Sequence, residues 1–176
     1  MGRSVKSAVN LRPLPLVGIC LAFGSLAMGC GEGSKATNVV LSEGDACGDA
    51  FFWAVSESGD TAVTIALEAR ERSGQEPTKI DISLPDPAVE ATVLSGHDLA
   101  RNFCTDVLDT RSEPQDRQPA VAGSGSVTLD AVPDGPDSLA CGTVNGELDF
   151  QGVVAEDGTT FTPITVRSAS IGCYSG

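Results

Sequence analysis

The sequence predicts an all-β fold, an antiparallel β-sandwich of seven or eight short strands with Greek-key links and little helix. Three observations predict it. Apolar residues alternate with a period of two from Phe51 onward. Clusters of Gly, Pro, Asp and Ser punctuate that alternation. The one stretch of good helix propensity, residues 66–72, is entered from an alternating segment without a cap and reads as the end of a strand.

The first strand of the body is Phe51-Phe52-Trp53-Ala54-Val55, an apolar run with the look of a strand buried on both faces. Ser56 to Asp60 is a turn cluster, and Val63, Ile65 and Leu67 alternate behind it. With Ser58-Gly59-Asp60 as the loop, Val55 faces Val63, Trp53 faces Ile65 and Phe51 faces Leu67, large residue against large residue. Ile80, Ile82 and Leu84 form the next strand, which Pro85 stops. Val89, Ala91 and Val93 form another, and Val127, Leu129 and Ala131 another, followed by the turn Pro133-Asp134-Gly135-Pro136-Asp137. Between them, His97-Asp98 is placed to cap one helical turn carrying Leu99 and Phe103. Residues 109–126 read as the longest loop, a bridge between sheets or a surface element.

The C-terminal hairpin is the most specific element. Glu156-Asp157-Gly158 suits a three-residue loop with Gly158 in the left-handed position. That loop sets Leu148 opposite Val166, Phe150 opposite Ile164 and Cys141 opposite Cys173. Pro163 must then sit where no ladder donor is needed. The cysteines fall on the face opposite Leu148 and Phe150, which calls for a bulge near the open end. The alignment predicts a Cys141–Cys173 disulfide, closing a loop of roughly 33 residues and contributing roughly 3–4 kcal/mol in the chain-entropy model. Cys47 and Cys104 then pair with each other.

The N-terminus carries Arg3, Lys6 and Arg12 and no acid, and residues 14–28 are apolar or small apart from Ser25. Roughly 15 such residues fall short of the ~20 needed to span a bilayer. A basic start and a short apolar core are the pattern of a secretory signal peptide. The run ends in Ala27-Met28-Gly29-Cys30, which resembles the bacterial lipobox. The resemblance implies cleavage before Cys30 and a diacylglyceryl group on its sulfur. Two acyl chains satisfy the two-signal requirement for stable anchoring. Residues 1–29 are then the signal peptide, 30–43 the lipid attachment and flexible tether, and 44–176 the sandwich domain.

Composition fits that placement. The chain has 11 Lys+Arg against 24 Asp+Glu, a formal net charge of −13. Removing the leader, with its three basic residues, leaves a side-chain charge of about −16. Such a surface repels polyphosphates, so nucleic acid is not an expected partner. Six cysteines less Cys20 in the leader and Cys30 leave four, an even number that suits an oxidising compartment. With one histidine and no CxxC pair, no zinc site is expected.

Motifs of catalysis are sparse. Gly29 to Lys35 lacks the Gly-Lys-Ser/Thr ending of a phosphate loop. Ser124 lies in Ala-Gly-Ser-Gly-Ser, not in a nucleophile elbow. Ser95, His97 and Asp98 are near neighbours in one turn, a spacing that rarely makes a triad converge. The acid pairs Asp45/Asp49, Asp134/Asp137 and Glu156/Asp157 suit turns, where Asp bonds its own backbone. The Phe51-Phe52-Trp53 run is expected to be core, buried from both sides; Phe52 is a candidate for a binding platform only should one face of its sheet be solvated.

The reading is therefore an extracytoplasmic, membrane-anchored lipoprotein with a disulfide-stabilised sandwich body. It acts as a non-enzymatic binding or structural module, with no catalytic residues, cofactor or metal assigned. The expected partners are the membrane, through the anchor, and an envelope protein or glycan. The competing reading is a small extracytoplasmic hydrolase using acidic residues.

Overall fold

The structure, a computed structural model, describes residues 37–48, 50–67, 77–130 and 144–171, all within one compact unit, Lys35–Gly176. Cys30, Cys141, Cys173, Asp49, Asp134, Asp137 and residues 68–72 lie outside the described residues, and with them the leader, the Cys141–Cys173 pairing and two of the acid pairs.

The fold is all-β. Eight strands have six or more residues: β2 (Leu41–Cys47), β3 (Phe51–Ser56), β4 (Thr61–Leu67), β5 (Thr78–Leu84), β6 (Val89–Ser95), β7 (Asp116–Leu129), β8 (Val144–Ala155) and β10 (Ile164–Ile171). Two short ones, β1 (Asn38–Val39) and β9 (Thr160–Phe161), pair in parallel, and every other pairing is antiparallel. The first sheet runs β2-β3-β4-β6 and ends on the first residues of β7. The second is built on the rest of β7, with β5 on one side and β8, then β9 and β10, on the other. β7 belongs to both sheets, and β10 runs beside β2, so the sandwich nearly closes into a barrel.

The links are not all hairpins: β4 pairs with β6 and β5 with β7, so the chain crosses from the first sheet to the second and back between β4 and β6. Three readings need correction. Residues 116–126 form most of the longest strand, not a loop, so Ser124 sits in a ladder. Their Gly and Ser content reflects packing instead. A Cβ on Gly125 would lie 2.0 Å from the Asp149 carbonyl oxygen, and one on Gly123 would lie 2.6 Å from the Phe150 ring. Ser124, Ser126 and Thr128 lie opposite Gln151, Asp149 and Glu147, in a polar outer face of the second sheet.

Residues 38–43, expected in the tether, belong to the body instead. The Thr160 N–H donates to the Thr37 carbonyl at 2.9 Å, and the Leu41 N–H to the Thr162 hydroxyl at 2.9 Å. The third correction concerns the β3–β4 hairpin. Its register is one residue away from the expected one: Phe52 faces Ile65, Ala54 faces Val63 and Trp53 faces Thr64. The turn takes four residues, 57–60. Ser56 closes it, its carbonyl accepting from Gly59 N–H at 2.9 Å and its hydroxyl from Thr61 N–H at 3.2 Å.

The C-terminal hairpin has the expected register, with Leu148 opposite Val166 and Phe150 opposite Ile164. Gly158 is left-handed at φ 87°, and a register shift follows Val166. Pro163 falls in the break between β9 and β10.

The main core lies between the two sheets. Phe52, Val63, Ile65, Val127, Leu129, Leu148, Phe150 and Val153 are all buried there. Phe52 is wholly enclosed, while Phe51 next to it is only half-buried on the other face. Phe52→Ala is therefore expected to lower unfolding free energy by roughly 3–5 kcal/mol, and Phe51→Ala by well under half of that. Urea denaturation of the two variants checks the difference.

Candidate functional site

The observed β3–β4 register sends Phe51, Trp53 and Val55 to the outer face of the first sheet. Cross-strand pairs arrange that face in three rows. The first is Cys47, Phe51, Ala66 and Glu90; the second is Asp45, Trp53, Thr64, Thr92 and Pro119; the third is Glu43, Val55, Ala62, Leu94 and Arg117. Large side chains on β3 thus oppose small ones on β4, leaving depth above β4 for another layer.

The segment between β6 and β7 supplies that layer over part of the face. Leu99 opens a 3₁₀ turn, Leu99–Asn102, and is buried against Trp53, Val55, Ala62 and Leu94. Phe103 packs between Trp53 and Phe51, with ring centroids 5.2 and 5.9 Å away. Cys104 is bonded to Cys47, as expected for that pair, and its sulfur accepts a hydrogen bond from the Trp53 indole N–H at 3.3 Å. At its start the segment is held to the β3–β4 turn, with Leu99 N–H donating to the Gly59 carbonyl at 3.0 Å.

Polar groups fix the outer part of the segment. Asn102 clamps the backbone of Asp109, donating to its carbonyl at 2.9 Å and accepting from its N–H at 2.8 Å. The Arg111 side chain and backbone N–H both donate to the Asp109 carboxylate and hold its pKa down at about 2. Arg101 bridges Asp98 and Asp109. Held in this way, the tip projects Val107 and Leu108 into solvent, 80% and 65% exposed.

Between the segment and the uncovered part of the face lies a cleft of about 470 Å³. Phe51 and Phe103 form its aromatic wall, Thr64 and Thr92 its floor, Leu108 its lip, and Glu90, Glu113 and Arg117 its charged margin. A second cleft of about 460 Å³ lies where β5 and β6 part along β7 and shares Glu90, Thr92 and Arg117 with the first. The size is that of an ordinary ligand site.

Phe52 lies in the main core, buried as expected, and it is Phe51 that lines the cleft. Alternation alone could not choose the face, because both faces of β3 are apolar. The cleft residues Glu90, Thr92 and Arg117 carried no motif. Only the register brings them beside Phe51.

The other candidate residues do not assemble. His97 is exposed beside Asp60 at 3.6 Å, Asp98 is paired with Arg101, and Ser95 ends β6, so no triad forms. Asp98 precedes the 3₁₀ turn in a left-handed conformation and its side chain makes no cap bond. Asp157 caps its own turn; the Thr159 N–H, at 2.8 Å, and then the Thr159 side chain hold its carboxyl below the ordinary range. Among the described residues no three His, Cys, Asp or Glu side chains are grouped to hold a metal ion, and no helix is long and apolar enough to cross a membrane.

No protein-family model, curated protein or solved structure matches this chain.

The Cys47–Cys104 bond spans 57 residues, which in the chain-entropy model corresponds to about 4 kcal/mol. The double variant Cys47→Ala/Cys104→Ala is expected to lose about that much stability in chemical denaturation. Its Trp53 emission should shift to the red as Phe103 leaves the indole.

Proposed function

We propose that this chain is a lipid-anchored, extracytoplasmic binding module whose ligand site is the cleft over β4 and β6. The observation that supports the site is the aromatic wall. Phe51 and Phe103 are held beside a hydroxyl-bearing floor by a disulfide and a polar clamp, on a face that the rest of the fold leaves open. A preformed site of this kind loses little ordering entropy on binding. The anchor rests on the sequence: a short apolar leader ending in Ala27-Met28-Gly29-Cys30, with Cys30 as the acylated residue. An acidic body, at −13 overall, suits a soluble domain carried at a membrane surface. The second cysteine pair, Cys141 with Cys173, belongs to the same extracytoplasmic reading.

One observation favours the hydrolase reading: Glu90 and Glu113 line the same cleft. Two facing carboxylates are the equipment of glycoside hydrolysis. The two readings part on turnover. The binding module retains an oligosaccharide intact, whereas a hydrolase cleaves it and loses that activity as Glu90→Gln or Glu113→Gln.

The test has two arms. Mass spectrometry of the protein from a lipoprotein-processing bacterial host should find a chain beginning at an acylated Cys30. An intact leader with a free Cys30 thiol contradicts the anchor. In a glycan- and peptide-array screen, Phe51→Ala and Phe103→Ala should each weaken the binding seen with the parent protein by at least tenfold; binding indifferent to both contradicts the site.

A further inference from the structure

Resting on the cleft as the ligand site, we infer that Arg117 anchors a carboxylate and that the ligand is a saccharide chain carrying one such group. Arg117 stands apart among the described basic residues. Lys79 pairs with Asp81, Arg101 with Asp98 and Asp109, Arg111 with Asp109, and Arg167 with Glu147 and Asp149. Among the described residues Arg117 has no acidic partner within 4.0 Å, in a chain that carries 24 Asp+Glu against 11 Lys+Arg. It lines both clefts, at the place where they adjoin.

A guanidinium presents a rigid fork that matches a carboxylate with two parallel hydrogen bonds. Left unpaired in an acid-rich chain and placed in a concave site, it is matched in charge and shape to an anionic group of the ligand. The rest of the site limits how many anionic groups that ligand carries. Glu90 and Glu113 line the same cleft, and a second carboxylate beside either is repelled. The overall charge of −13 opposes polyanions in the same way.

The floor decides between a saccharide and a peptide. Extended peptides are commonly recognised by adding a strand to an open sheet edge. Here the floor strands are interior: β3 lies between β2 and β4, β4 between β3 and β6, and β6 between β4 and β7. Their main-chain groups are engaged in the ladders, so recognition falls to side chains. Those side chains suit a sugar. Aromatic ring faces carry partial negative charge and take up C–H groups, while carboxylates and threonine hydroxyls meet sugar hydroxyls. The site is also elongated. From Phe51 on β3 to Arg117 on β7 the cleft crosses three strand spacings, about 14 Å at ~4.8 Å each, which fits a chain rather than a single ring.

The experiment is isothermal titration of the full chain with three probes. They are aldotetraouronic acid, a xylotriose bearing one uronate carboxylate; its methyl ester; and neutral xylotetraose. The acid should bind at least tenfold more tightly than the ester or the neutral sugar, the size expected of a charge-assisted pair. Arg117→Gln should remove that difference, so that acid and ester bind alike. Arg117→Lys should keep part of it, and Phe103→Ala should weaken all three. Equal binding of acid and ester by the parent protein, or an unchanged preference in Arg117→Gln, overturns the anchor and leaves the cleft standing. Failure of all three saccharides, with Arg117-dependent binding of a tetrapeptide bearing a free C-terminal carboxylate, overturns the saccharide class alone. Failure of every probe, together with array binding indifferent to Phe51 and Phe103, overturns both this inference and the proposed site.

Discussion

The pairing of β3 with β4 is the constraint on which the rest of the structure depends. Five consecutive apolar residues, Phe51 to Val55, leave no solvent face to choose. Whichever register the ribbon takes, one set of large side chains enters the main core and the other faces away from it. With Phe52 opposite Ile65 and Ala54 opposite Val63, the inner set fills the space between the sheets. Phe51, Trp53 and Val55 are left on the outer face, opposite Ala66, Thr64 and Ala62. That surface cannot stay bare, and the segment between β6 and β7 covers much of it with Leu99 and Phe103.

The covering is partial, and the cleft is what remains uncovered. A layer this small, with few buried apolar residues of its own, is not held by burial alone. The disulfide from Cys104 to β2, the Asn102 clamp on Asp109 and the Asp109–Arg111 pair fix the segment against the sheet. Their combined effect is to keep Phe103 upright beside Phe51 and to hold Leu108 at the lip. The scaffold and the site therefore share one cause: the outer apolar row that the β3–β4 register creates.

Much of this was legible in the sequence, and the failures have physical reasons. The C-terminal hairpin register was readable because Glu156-Asp157-Gly158 admits one tight loop and a single apolar face fixes the pairing. The β3–β4 register was misread by one residue because the turn has four residues, 57–60, where three were expected; with both faces of β3 apolar, the side chains alone do not distinguish the two registers. The length of β7 was missed because glycines and serines usually punctuate turns. Here Gly123 and Gly125 make room for Phe150 and the Asp149 carbonyl inside a sheet. The Cys47–Cys104 pair was expected by elimination, as the two of four cysteines left once the hairpin alignment had assigned Cys141 to Cys173. Arg117 and Glu90 were invisible as site residues, since nothing in their local sequence marks them and only the ladder brings them to one cleft.

Nuclear Overhauser contacts in the oxidised protein measure directly which way Trp53 points. The expected contacts run from the Trp53 indole to Phe103 and Leu99, with Phe52 in contact with Ile65 and the main core. Contacts from Trp53 to Ile65 and Leu148, with Phe52 beside Phe103, would contradict this arrangement and dissolve the outer row on which the cleft is built.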